Sequence, residues 1–165
     1  AASSPRAAAE IVAVLARAAG SEGVVAGQVE DLEAEGTAPD AEKIRYIEAH
    51  KTGELMGASV AMGAAASGAT AEERRALARY AECLGEAFQV ADDILNATGE
   101  AKELGKAVGT DEARGKTTAV SLLGLDGARA RLAELTKAAR AALSPLGARA
   151  AELSALATAL ETRTH

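Results

Sequence analysis

Residues 70–97 keep one helical period without a break, and this constrains the fold more than any other stretch. Leu77, Leu84 and the residues four on from them, Ala81 and Phe88, form a continuous apolar stripe that Ile94 prolongs. Thr70 followed by Glu73 fits a capping box, so the helix has a marked start. A helix of this length runs roughly 40 Å and must bury its stripe against neighbours of its own kind. No strand-like alternation occurs anywhere in the 165 residues, so the expected fold class is all-α.

The rest of the chain supplies those neighbours. Ser4-Pro5 reads as an N-cap with proline at the first helical position, opening a helix from Pro5 to about Ala19 with Ile11, Val12 and Leu15 on one side. Gly20 ends it. A second helix is predicted at about 22–35, closed by Gly36 with Pro39 beyond, and Gly23 and Gly27 suggest a close helix–helix approach. A third follows Asp40 and runs to about Ser67 through Ile47, Leu55 and Met56. Between Thr98 and Gly115 the pattern breaks into a long glycine-punctuated loop, a type more often functional than idle. Helical patterns resume at 117–123, at 126–143 and after Pro145.

Composition removes several function classes. A net charge of −6, with 24 acidic against 18 basic residues, argues against general nucleic-acid binding. With no Trp, one Phe and two Tyr there is no aromatic platform for bases. No apolar run is long enough for a membrane span, and the single Cys83 fits a reducing compartment. A cytoplasmic location is expected, with the plastid stroma compatible as well.

The long helix carries two adjacent carboxylates, Asp92 and Asp93, amid apolar residues. Paired charges there need a compensating cation. Gln89 lies one turn before them and Asn96 one turn after Asp92, so one face offers oxygen donors suited to a hard cation such as Mg2+. The bland alternative is a solvated helix face. Lys51 beside Thr52, and Lys106 and Lys116 in the loop, supply cations. Magnesium is commonly held by one or two carboxylates together with substrate phosphates, so the combination reads as a diphosphate site. Taken singly, each lysine reads more readily as a solvated surface charge. His50 and the terminal His165 are too few for a zinc site, and no nucleophile–base pair or P-loop is present.

Gly27-Gln28, His50-Lys51-Thr52-Gly53, Phe88-Gln89 with Asp92-Asp93, and Leu104-Gly105-Lys106 with Gly115-Lys116 head four ordered motifs that resemble those of the trans-isoprenyl (polyprenyl) diphosphate synthases. Gly27-Gln28 through Asp31-Leu32 to Glu35-Gly36 resembles GQxxDLxxEG, and His50-Lys51-Thr52-Gly53 resembles HKTG. Phe88-Gln89 through Asp92-Asp93 to Asn96 resembles the second aspartate-rich motif, FQxxDDxLD. Leu104-Gly105-Lys106, Gly109-Thr110-Asp111 and Gly115-Lys116-Thr117-Thr118 resemble the LGKxxGxD…GKxT segment. The resemblance covers essentially all of residues 1–165 and implies the C-terminal part of an isoprenoid-synthase helical bundle, without its N-terminal helices.

It also implies a chemistry: an allylic diphosphate ionises with Mg2+ bridging its diphosphate to two aspartate-rich motifs, and the carbocation alkylates isopentenyl diphosphate. By position, Asp92, Asp93, Asp31 and Asp111 form the metal set, Asp93 in support of Asp92. Lys51 and Lys106 contact the allylic diphosphate, Thr52 and Gln89 face the carbocation, Lys116 guards the closing end, and Gln28 sits beside Asp31. The product would be of geranylgeranyl or farnesyl type, and a homodimer or a heteromer with a complete synthase is expected.

The departures matter as well. Neither the family's first aspartate-rich motif nor its arginine pair is matched, so the chain alone is expected to be inactive. Asn96 stands where the motif usually ends in Asp, and Ala119 where a Tyr is usual. Glu30, Glu54 and Glu86 occupy positions usually apolar, which requires exposed faces or changed packing. Two alternatives stay open: a regulatory or scaffold subunit paired with a complete synthase, and a helical bundle with a metal–diphosphate pocket used for hydrolysis or cyclisation.

Overall fold

A computed structural model describes residues 4–34, 40–98 and 118–162, and every regular element among them is helical. The helices are α1 (Pro5–Ala19), α2 (Val24–Glu33), α3 (Ala41–Glu48), α4 (Glu54–Ser67), α5 (Ala71–Thr98), α6 (Ala119–Ala142) and α7 (Ala151–Thr162). A π turn (Ala49–Gly53) joins α3 to α4, and a 3-10 segment (Ser144–Ala150) joins α6 to α7. The expected all-α bundle is present.

The starts follow the capping chemistry. Ser4 Oγ accepts from the Ala7 N–H at 3.2 Å, with Pro5 at the first position of α1. Asp40 Oδ1 accepts from the Glu42 N–H at 2.8 Å and opens α3. At α5 the box is reciprocal: the Thr70 N–H donates to Glu73 Oε2 at 2.8 Å, and the Glu73 N–H donates to Thr70 Oγ1 at 3.3 Å. Thr118 and Ser121 repeat the device at α6.

Three boundaries differ from the sequence expectation. The second helix begins at Val24 and not at Glu22, because a tight turn through Gly20 and Gly23 intervenes. A Cβ on Gly23 would lie 2.0 Å from the Ala18 carbonyl oxygen, so only glycine fits that turn. The third helix is not uniform but is divided by the π turn at 49–53. The expected break between 117–123 and 126–143 appears as a kink inside α6, at Gly124 with φ 71. The expected loop at 98–115 lies outside the described residues, apart from Thr98, the last residue of α5.

The core is built around α5. Tyr80, Leu84, Ala87 and Ala91 of α5 meet Leu132, Leu135 and Ala139 of α6, with Ala157 and Leu160 of α7 closing the far side. Burying a leucine side chain contributes about 1.5–3 kcal/mol, so this cluster supplies most of the driving force. On its other flank α5 packs on α4, and α4 on α1. The second helix, α3 and the π turn cluster together beside them.

Candidate active site

The His50-Lys51-Thr52-Gly53 segment forms the π turn itself. Such turns widen one helical coil by a residue and are frequent at functional sites. Gly27 of α2 lies directly against it: a Cβ there would stand 2.5 Å from Lys51 N. The close approach expected from the glycine spacing is therefore real, and its partner is the π turn. The contact brings two candidate residues together, with Lys51 Nζ donating to Asp31 Oδ2 at 2.7 Å. His50 is half-buried, donates through Nδ1 to the Tyr46 carbonyl at 2.8 Å, and stacks on the Tyr46 ring at 3.8 Å. Gln28, by contrast, is exposed.

A groove of about 780 Å³ runs between α1, α4 and α5. Thr52 and Gln89 both line it, so the two residues expected to face a reacting carbon share one cavity. Its lining includes small residues, Gly57 and Ala61 from α4 and Ala78, Ala81 and Gly85 from α5, together with Arg17, Arg45 and Arg74. Glu54 and Glu86 also border it. Both carboxylates are exposed, and Glu86 accepts from Arg131 at 3.0 Å, while Glu30 pairs with Lys43 at 2.9 Å. The Glu30 hydrogen bond raises the Lys43 ammonium above the usual lysine range. The unusual glutamates thus sit on exposed or paired faces and not in a core.

The carboxylate pair of α5 divides. Successive helical residues point about 100° apart, and here Asp92 stays half-exposed while Asp93 is buried at 6% exposure. Asp93 Oδ2 accepts from the Ala119 N–H at 2.7 Å, and Gln89 Nε2 donates to Asp93 Oδ1 at 3.4 Å. Asn96 is buried too. The single face expected for Gln89, Asp92, Asp93 and Asn96 is therefore two: a half-exposed edge and a buried one. Among the described residues no group of three or more His, Cys, Asp or Glu is placed to hold a metal. Lys106, Asp111 and Lys116 lie outside the described residues.

Sequence reasoning did not foresee the π turn, the groove or the bond from Asp93 to Ala119. Gly53 inside the third helix was the available signal for the first. The small residues spaced along α4 and α5 were the signal for the second. Nothing local in sequence signals the third, since its partners are 26 residues apart.

The polyprenyl synthetase family profile matches residues 2–150, and the chain belongs to that family. It is 41% identical to a farnesyl diphosphate synthase of Geobacillus stearothermophilus, over 92% of this chain and 51% of that protein. It is 45% identical to a chloroplastic geranylgeranyl pyrophosphate synthase of Capsicum annuum, over 88% of this chain and 40% of that protein. A geranyltransferase from Helicobacter pylori, solved with magnesium and isoprenyl diphosphate, superposes with a TM-score of 0.72 at 31% identity, over 96% of this chain and 52% of that one. The chain spans about half the length of the relatives it matches. No described helix is long and apolar enough to cross a membrane.

Proposed function

We propose that the chain carries one wall of a short-chain prenyl diphosphate synthase site, which joins isopentenyl diphosphate to an allylic diphosphate with Mg2+. The observation that carries this reading is the shared groove, in which Thr52 and Gln89 border a cavity lined in part by small residues. Its small and apolar lining residues suit a hydrocarbon tail, while Lys51, next to Thr52 on the π turn, suits a diphosphate head.

The donor set fits magnesium in part. Asp92 is a half-exposed carboxylate and Asp31 stands within reach of a cation, Lys51. One or two carboxylates suffice when diphosphate oxygens complete the shell. Bound there, Mg2+ would neutralise charge developing on the departing diphosphate. Lys51 would hold the diphosphate through a charge-assisted hydrogen bond, exchanging its Asp31 partner for the substrate. The hydroxyl of Thr52 and the amide of Gln89 present dipoles at the groove that can stabilise a cationic carbon. Lys106, Lys116 and Asp111 belong to the same reading on sequence alone.

The isolated chain is expected to be inactive, since its described residues offer too few carboxylates for a full metal clamp. With isopentenyl and dimethylallyl diphosphates and Mg2+, the purified 165-residue chain should show no turnover. It should bind Mg2+–pyrophosphate, and Lys51→Ala should weaken that binding roughly tenfold, the worth of a hydrogen bond to a charged group. Robust turnover by the chain alone would refute the incompleteness, and an absence of Mg2+-dependent pyrophosphate binding would refute the site.

A second reading, a scaffold that pairs with a complete synthase or with itself, is favoured by Val25, Val29 and Leu32. They form an exposed apolar row on α2. Light scattering of the same preparation, with and without a complete synthase, separates the two: a monomer that ignores the synthase speaks against the scaffold.

A further inference from the structure

We infer that Asp93 is a positioning residue, not a metal ligand: its carboxylate fixes the first turn of α6 and the Gln89 amide to the reactive end of α5. The assignment of that end as reactive rests on the function proposed above, whereas the anchor rests on the geometry alone.

Ala119 is the first helical residue of α6, and its N–H has no acceptor within the helix. The capping box accounts for two other groups of that terminus. The Ser121 N–H donates to Thr118 Oγ1 at 3.1 Å, and the Thr118 N–H donates to Ser121 Oγ at 2.9 Å. The Ala119 N–H is another, and Asp93 Oδ2 of the neighbouring α5 accepts it at 2.7 Å. A buried carboxylate at a helix N-terminus is also favoured by the partial positive charge of the helix end. Its other oxygen lies 3.4 Å from Gln89 Nε2. That contact turns the nitrogen end of the groove-lining amide toward Asp93 and leaves Oε1 as the end available to the groove.

The two adjacent carboxylates therefore take different tasks. Asp92 stays half-exposed, and Asp93 ties together three pieces of chain: Gln89, its own turn of α5, and the start of α6.

An anchor needs a hydrogen-bond acceptor, whereas a metal ligand needs the charge. Asp93→Asn keeps one acceptor, which the Ala119 N–H can use while the Gln89 contact is given up; Asp93→Ala removes both acceptors, and Ala119→Pro removes the donor. Proline suits the first helical position, and Thr118 before it is already extended at ψ 165. Hydrogen exchange of the 165-residue chain should show the amides of residues 120–123 exchanging about tenfold faster in Asp93→Ala and in Ala119→Pro. Amides around Leu132 and Leu135 should keep their protection, which rules out global unfolding. The double variant should be no faster than either single one, because both remove the same bond. Asp93→Asn should recover the wild-type rate.

Binding of Mg2+–pyrophosphate separates the two roles. Asp93→Asn should recover what Asp93→Ala loses, while Asp92→Asn should not recover the loss of Asp92→Ala. Asn failing to rescue the exchange rates at position 93, or Ala119→Pro leaving residues 120–123 unchanged, overturns the inference. If the wild-type chain binds no Mg2+–pyrophosphate, the proposed site falls, and the exchange rates alone decide the anchor.

Discussion

At Gly27 the lack of a side chain decides where Lys51 stands. A Cβ there would meet Lys51 N at 2.5 Å and the His50 carbonyl carbon at 3.0 Å, both backbone atoms that cannot swing aside. Either α2 or the π turn would have to move, and the 2.7 Å contact between Lys51 and Asp31 spans that junction. Gly27→Ala should lower the unfolding free energy by about 1–3 kcal/mol, the usual range for overpacking, despite alanine's better helix propensity. Gly63, exposed in α4, is the counterpart, since nothing lies within 4 Å of its virtual Cβ. Gly63→Ala should raise stability by roughly 0.5–1 kcal/mol through lost backbone entropy in the unfolded chain. Urea midpoints of the two variants check the pair, and equal shifts of one sign would contradict the packing argument.

The long helix α5 is held at its start by a group that titrates. Glu73 receives hydrogen bonds from Arg149 of the 3-10 segment, from the Thr70 backbone and from the Thr70 hydroxyl. These hold its carboxyl down at about 2, below its ordinary 4.5, with Arg149 the largest cause. Because the folded value is depressed, the stabilisation is complete above pH 4.5 and is lost as pH falls toward 2. Glu73→Gln removes the titration, so its urea midpoint should lie below wild type at pH 6 and converge on it as pH drops through that window. A gap that stays constant with pH would show that charge at Glu73 contributes nothing. Much of this element was legible in advance, because Thr70, Glu73, Ser4 and Asp40 are local signals read within four residues. The π turn was not, since helical periodicity registers the same apolar positions with one extra residue in the coil. The division of Asp92 from Asp93 was not legible either: the sequence places both on one helix, but the burial of one depends on α6.

Across the whole molecule, burial is unevenly spread, and the groove falls on the weaker side. Tyr80, Leu84, Leu132, Leu135 and Leu160 pack α5, α6 and α7 into one cluster, and the Tyr80 hydroxyl donates to the Leu153 carbonyl at 2.9 Å to tie in α7. In contrast, the only described buried side chain of α1 is Ala18, and Val12 and Leu15 of that helix are exposed. The first helix packs on α4 through small or partly exposed side chains, and one described ion pair, Arg74 with Glu10, joins it to α5 beside the groove. Partly exposed ion pairs contribute only about 0–1 kcal/mol, so α1 is held far less firmly than the cluster beneath it. Leu135→Ala should therefore lower global stability by about 2–5 kcal/mol, while Val12→Ala should stay within about 0.5 kcal/mol. Native-state hydrogen exchange should find amides of α1 opening at a lower free energy than those of α5 and α6, in a step that leaves the cluster intact. Abolishing the Glu10 charge with Glu10→Gln should speed exchange in α1 without moving the α5 and α6 amides. Uniform protection across α1, α5 and α6 would mean that the helix walling the groove is part of the cooperative core, and that its access is not governed by α1.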